Sequence, residues 1–175
     1  TLTQFTIQSD DSSRFTVTRT GSGALAELYR DVPDGDVAIS LRGASNGFTQ
    51  LPGPARLATS YDLKGSLGDA VFAFAQEPER HQDFVCPAID AEDEVHFHLP
   101  TRSRVQALPR AMHVDDANFA YHSRYARRGA LVTVQRQLKF RHTAATCTPD
   151  DYRRMRPALQ RMLRDLRSQV VFRRG

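Results

Sequence analysis

Two cysteines and six histidines are the residues in this 175-residue sequence best suited to nucleophilic or metal chemistry. A cysteine nucleophile needs a thiolate activated by a histidine that a carboxylate orients. Cys147 immediately precedes the helix-start pattern Thr148-Pro149-Asp150-Asp151, where a helix dipole would lower a thiol's pKa, and His142 lies just upstream. Cys147 with His142 is therefore the one pairing to weigh. Neither cysteine, however, opens a helix after a Gly-rich turn, and Cys86 stands before Pro87 in a loop. The expectation is an inert cysteine at a strand–helix junction. Cys86 and Cys147 fit neither a metal-ligand spacing nor a C-x-x-C redox motif. Two free thiols are the default, with a disulfide left open for an oxidising compartment.

Glu94, His96 and His98 alternate with Val95, Phe97 and Leu99, so the three polar side chains share one face of a strand. They form a weak candidate metal site, because a zinc centre wants a third strong ligand and an organised outer shell, and Glu94 is the only obvious third ligand. An exposed polar strand face is the plainer expectation, and no cofactor is expected. The acidic residues Glu92 to Glu94 and the pair Asp115-Asp116 read as turns and solvated edges. Gly21-Ser22-Gly23 matches no phosphate-binding loop.

Net charge is +4, but it is unevenly spread. Residues 1–121 carry 17 acidic and 10 basic residues, whereas residues 122–175 carry 14 basic and 3 acidic ones. Such asymmetry is the mark of an anionic partner, whether nucleic acid, a lipid surface or an acidic protein face, or of a basic segment packed on its own acidic part. The candidate anion-binding residues are Arg153, Arg154, Arg156, Arg161, Arg164 and Arg167. Nucleic acid is the less expected partner, since no stacking aromatics are interleaved with these arginines.

The elements that must position these groups are mostly strands. Residues 3–7 and 14–18 predict a hairpin, 22–30 a short helix capped by Ser22, and 37–42 a strand. Three Gly and two Pro between Gly43 and Pro54 suggest a boundary between a lobe over 1–48 and a second over 49–175. Residues 55–63 read as extended and 69–75 as a buried strand. Strands follow from Glu94 to Leu99, over 103–108, and over 118–127 and 130–142, the last two joined in a hairpin at Arg128-Gly129. Thr148 then caps a helix with Pro149 in its first turn. Tyr152, Met155, Leu159, Met162, Leu163 and Leu166 fall on one face of it, and Pro157 predicts a kink. Val170-Val171-Phe172 closes the chain as a short strand. The fold class is mainly β (α+β): an antiparallel β-sandwich with a short helix near the N-terminus and a C-terminal amphipathic helix packed on the sheet. No apolar run approaches a membrane span. The absence of an initiator Met and of a signal peptide points to a processed chain or a fragment.

From about Asp93 the pattern resembles a known bacterial family. The pieces are Phe97-His98-Leu99-Pro100, Val105-Gln106-Ala107-Leu108-Pro109, Phe119-Ala120-Tyr121-His122-Ser123-Arg124-Tyr125, Gly129-Ala130-Leu131-Val132-Thr133-Val134-Gln135-Arg136-Gln137-Leu138 and Pro149-Asp150-Asp151-Tyr152. In order and spacing they are similar to the C-terminal mainly β domain of transglutaminase-like, cysteine-protease-fold proteins that also carry an N-terminal β domain of unknown function. Residues 1–92 resemble that family's connecting region more loosely, through the hairpin, the helix at Ser22-Gly23 and Asn46-Gly47-Phe48. Pro157 departs from the pattern, in which a proline more often follows the Tyr directly.

The resemblance implies a non-catalytic accessory domain, without a catalytic constellation of its own, that packs on a transglutaminase-like core and shapes access to it. The whole protein would be exported: periplasmic, extracellular or membrane-associated. A binding module using the arginine face of the helix on an anionic partner is the alternative. An enzyme or metal protein built on His96, His98 or Cys147 is a third reading.

Overall fold

The computed structural model describes residues 2–8, 13–21, 37–45, 54–60, 67–99 and 102–173. Its strands are β1 (Leu2–Gln8), β2 (Ser13–Gly21), β3 (Val37–Ser45), β4 (Ala55–Ala58), β5 (Phe84–Val85), β6 (Asp90–His98), β7 (Arg104–Ala107), β8 (Met112–Asp115), β9 (Phe119–Arg128), β10 (Leu131–Phe140), β11 (Thr146–Cys147) and β12 (Gln169–Arg173). The helices are α1 (Leu67–Ala75) and α2 (Pro149–Leu166). Seven strands form one sheet in the order β3-β2-β1-β6-β10-β9-β8, three form a second as β4-β12-β7, and β5 pairs with β11. The described pairings are antiparallel except for β1 with β6, which run parallel and join β1–β3 to the large sheet. Among the described residues the fold is mainly β with a C-terminal helix packed on the sheet, as the sequence predicts.

Alternation along β6, β9 and β10 decides which side of the sheet is buried. Val95, Phe97, Phe119, Tyr121, Val132, Val134 and Leu138 all turn inward and are buried. Two assemblies cover that inner face. Ala55, Leu57, Val170 and Phe172 of the three-stranded sheet lie over Val95, Phe97, Val132 and Val134. Leu67 and Val71 of α1, with Met155, Leu159, Met162 and Leu166 of α2, lie over Val114, Phe119, Tyr121 and Leu138. Each fully buried large aliphatic side chain contributes about 1.5–3 kcal/mol. Between β9 and β10 the chain turns at Gly129, whose φ of 58° is the left-handed conformation that suits a residue without Cβ.

The expected helix end is present in detail. Thr148 Oγ1 accepts from the Asp151 backbone N–H (3.2 Å), and the Asp151 carboxylate accepts from the Thr148 N–H (2.8 Å), a reciprocal capping box. The Thr148 N–H first, then the Thr148 hydroxyl (2.8 Å) and the Arg154 guanidinium (2.6 Å), all donating to the carboxylate, hold the Asp151 carboxyl down at about 2. The helix runs from Pro149 through the exposed Pro157 to Leu166. Its predicted apolar stripe is buried throughout.

Residues 69–75 depart from expectation: they form all but the first two residues of α1 rather than a strand. A run as short as Val71-Phe72-Ala73-Phe74 is apolar in either period, so sequence periodicity does not separate the two. Packing decides it, because a helix places Leu67, Val71 and Ala75 on one buried face against α2. Strands β5, β8 and β11 were not anticipated; two of them are only two residues long. The helix expected over 22–30, and most of the Gly/Pro-rich stretch after Ser45, lie outside the described residues.

Candidate functional site

Among the described residues, three groups of side chains have the chemistry for a site: a sulfur–imidazole cluster, a polar sheet face and an internal charge network. The first is built where β10 hands over to α2. Strand β11 pairs with β5 in the register Thr146↔Val85 and Cys147↔Phe84, and the Cys86 N–H donates to the Ala145 carbonyl (3.0 Å). This pairing sets the two cysteine Cα atoms 5.1 Å apart, and the sulfurs are joined in a disulfide. The default of two free thiols is thus overturned, because β5 and β11 bring together residues 61 positions apart. His142 Nδ1 lies 3.5 Å from Cys86 Sγ. The histidine named from the sequence therefore does reach the sulfur pair, through Cys86 rather than Cys147. The donor atoms of Cys86, His142 and Cys147 all lie within 4.8 Å of one another. While the sulfurs are bonded to each other, neither is a nucleophile or a metal ligand.

The second group lies on the outer face of the large sheet. Glu94 Oε1 and His96 Nε2 are 2.6 Å apart, and Gln135 Nε2 donates to Glu94 Oε2 (2.7 Å). His98 is exposed on the same face. The shared face read from β6 is real, and within it Glu94 meets His96 and Gln135. Two strands away, His113 and His122 pair directly across β8 and β9, with their Nδ1 atoms 2.7 Å apart. They border a groove of about 640 Å³, lined also by Glu92, Arg124, Gln135 and Gln137. The sequence reading passed over this pair. Its signal was the turn Asp116-Ala117-Asn118, where the Asp116 carboxylate accepts from the Asn118 N–H (3.0 Å) and so sets the register of the two histidines.

The third group is internal. Arg136 and Asp165 are buried at the seam between the two apolar assemblies, 1% and 4% exposed. Arg136 Nε donates to Asp165 Oδ2 (3.3 Å), Nη1 to the Thr59 carbonyl (2.6 Å), and Nη2 to Thr59 Oγ1 (2.7 Å) and the Tyr125 hydroxyl (3.0 Å). The Tyr121 and Tyr125 hydroxyls donate to the two Asp165 oxygens (2.6 and 2.9 Å). Burial pushes the Tyr121 phenol well above its ordinary value, against the pull of Arg136 and with the Asp165 charge adding to it. Burial opposes the charge on Arg136, but Tyr121, Tyr125 and Asp165 more than offset it and raise its pKa. Each polar group meets an internal partner, so the network rigidifies the fold instead of presenting a reactive atom. The sequence held a signal here too: Arg136 stands in phase with Val132, Val134 and Leu138, an arginine at an inward position.

Arg153, Arg154, Arg156, Arg161 and Arg164 of α2, and Arg167 at its C-cap, are all exposed. Several are already engaged. Arg153 pairs with Asp150, and Arg154 with Asp151 (2.6 Å). Arg161 donates to the His113 carbonyl (3.4 Å), and Arg167 lies over the Phe72 ring (5.9 Å). No described helix is long and apolar enough to cross a membrane.

Comparison with known proteins places this architecture. No curated protein matches the chain significantly. A solved structure from Parabacteroides distasonis, described as a putative protease, shares the fold with a TM-score of 0.52 at 17% sequence identity. The match covers 69% of this chain and 23% of that one, so the chain corresponds to about a quarter of the larger protein. Residues 68–172, which hold nearly all of both helices, the first two groups and all of the third except Thr59, and most of the described strands, match a family model. The chain belongs to the family described as a Domain of Unknown Function with solved-structure structure (DUF3858).

Proposed function

We propose that this chain is a non-catalytic accessory domain of a longer, exported bacterial protein, packing on a transglutaminase-like core and shaping access to it. One observation carries the reading: the shared fold occupies only 23% of the Parabacteroides distasonis protein, leaving most of that longer chain outside the match. The inward polar groups here support it, since Arg136, Asp165, Tyr121, Tyr125 and Thr59 are spent on one another. The Cys86–Cys147 disulfide suits an oxidising compartment such as the periplasm or the cell exterior.

Producing the chain and the remainder of its full-length protein as separate polypeptides tests the proposal. The two co-elute on gel filtration, and the chain by itself releases no product from acyl-transfer or peptide substrates. Turnover by the isolated chain refutes the reading. So does a remainder that neither binds the chain nor changes its activity when the chain is removed.

The exposed arginines of α2 support the alternative of a module for an anionic partner. It predicts retention on a polyanion column that weakens steeply with salt. Passage without retention at low salt rejects it.

A further inference from the structure

We propose that Cys86, Cys147 and His142 form a redox-gated site for one divalent zinc-like ion, occupied when the disulfide is reduced and emptied when it forms. The inference is independent of the accessory role above.

Three observations carry it. First, two thiolates and an imidazole are the donor set that zinc prefers, and here the three donor atoms already lie within 4.8 Å of one another. Second, the backbone holds them together without help from the sulfur bond. Strand β5 pairs with β11, and the Cys86 N–H binds the Ala145 carbonyl (3.0 Å). Reduction therefore leaves two thiols side by side. Third, the imidazole offers the right nitrogen. The Ala144 N–H donates to His142 Nδ1 (3.3 Å), which makes Nδ1 the lone-pair nitrogen and puts the proton on Nε2. A metal at Nδ1 replaces that long hydrogen bond.

The electrostatics favour a cation. Cys86 and Cys147 are buried, so two thiolates without a counter-charge would be costly, and a divalent ion neutralises both. Cys147 also sits one residue before the Thr148 cap, where the dipole of α2 favours the thiolate. Zn–S bonds of about 2.3 Å at tetrahedral angles place the sulfurs about 3.8 Å apart, a small opening of the bonded pair. Residues 143–146 are exposed and provide the entry route. The fourth position is left to water.

The redox step balances as thiol–disulfide exchange. A dithiol reductant gives two electrons and two protons to the Cys86–Cys147 bond and becomes a disulfide. The ion then displaces the two thiol protons. In the reverse direction, the disulfide form of such a catalyst accepts two electrons from the two thiolates and two protons from water, becoming a dithiol, while the Cys86–Cys147 bond re-forms and the ion leaves.

The test uses the full-length protein with cobalt(II) as the probe. Oxidised and phosphine-reduced samples are titrated under argon while the sulfur-to-cobalt charge-transfer absorption is read. Far-UV circular dichroism follows the fold. The expected result is one cobalt per chain in the reduced protein and no such band in the oxidised one. The band is lost in the C86S/C147S double variant. The H142Q variant weakens binding by at least about tenfold, since losing even an outer-shell partner of a metal site costs that much. Zinc displaces the cobalt. A reduced, folded protein without the band overturns the proposal, as does a band untouched by H142Q or present in the oxidised protein. Unfolding on reduction overturns it too, because the backbone pairing would then be insufficient.

Discussion

The Arg136–Asp165 pair gives the most demanding test of how this fold is held. Asp165 Oδ2 accepts from Arg136 Nε and the Tyr121 hydroxyl, while Oδ1 accepts from the Tyr125 hydroxyl. The D165N substitution keeps the shape, removes the counter-charge and points amide hydrogens at groups that were donating. Arg136, 1% exposed, is left without its anion. Breaking one side of a buried ion pair costs about 3–5 kcal/mol. That is a large part of the roughly 5–15 kcal/mol stability of a typical domain. R136M should cost a similar amount, because it strands the Asp165 charge instead. In the R136M/D165L double variant no charge remains to be stranded. Its loss should fall short of the sum of the singles by about 2–3 kcal/mol. Urea unfolding with the disulfide intact, followed by circular dichroism, measures all four corners of the cycle. A D165N protein within about 1 kcal/mol of wild type, or strictly additive losses, would show that water and not this network satisfies the two charges.

Other perturbations separate local terms. Replacing Leu159, fully buried between α2 and the sheet, by Ala should cost about 2–5 kcal/mol in the same assay, whereas V85A, at a side chain 81% exposed, should change stability by less than about 0.5 kcal/mol. The T148A variant removes the cap of α2 and should cost about 1 kcal/mol at neutral pH. Asp151 is held at about 2 against an ordinary 3.8, so its contribution is complete above the ordinary value and is lost as pH falls through about 2. The melting temperatures of wild type and D151N should therefore converge between pH 4 and pH 2, and a gap that stays constant there would exclude the cap as its source. Removing the disulfide, which spans 61 residues, as C86A/C147A should destabilise the protein by about 4 kcal/mol through the greater freedom of the unfolded chain. Midpoints equal to those of the oxidised wild type would show that the cross-link adds nothing.

Much of the fold was legible in the residues themselves. Alternation from Val95 to Leu99 and from Val132 to Leu138 places β6 and β10, Gly129 marks their neighbouring hairpin, and Thr148-Pro149-Asp150-Asp151 with the stripe to Leu166 places α2. These are local signals, carried by backbone preference and by the period at which apolar side chains recur. The common face of Glu94, His96 and His98 was legible for the same reason.

The tertiary structure alone decided what distant segments do to one another. It turned Leu67–Ala75 into a helix, because that segment packs along α2 and a short apolar run has no period of its own. It joined Cys86 to Cys147 and drew in His142 through two strands too short to announce themselves. It buried Arg136 against Asp165 and the hydroxyls of Tyr121, Tyr125 and Thr59, a network gathered from three separate elements, β9, β10 and α2, and the residue after β4. Sequence fixes the direction in which each side chain leaves its own strand or helix. Only the packing of sheet, strands and helices on one another determines which side chains then meet and whether a charge there is solvated or paired.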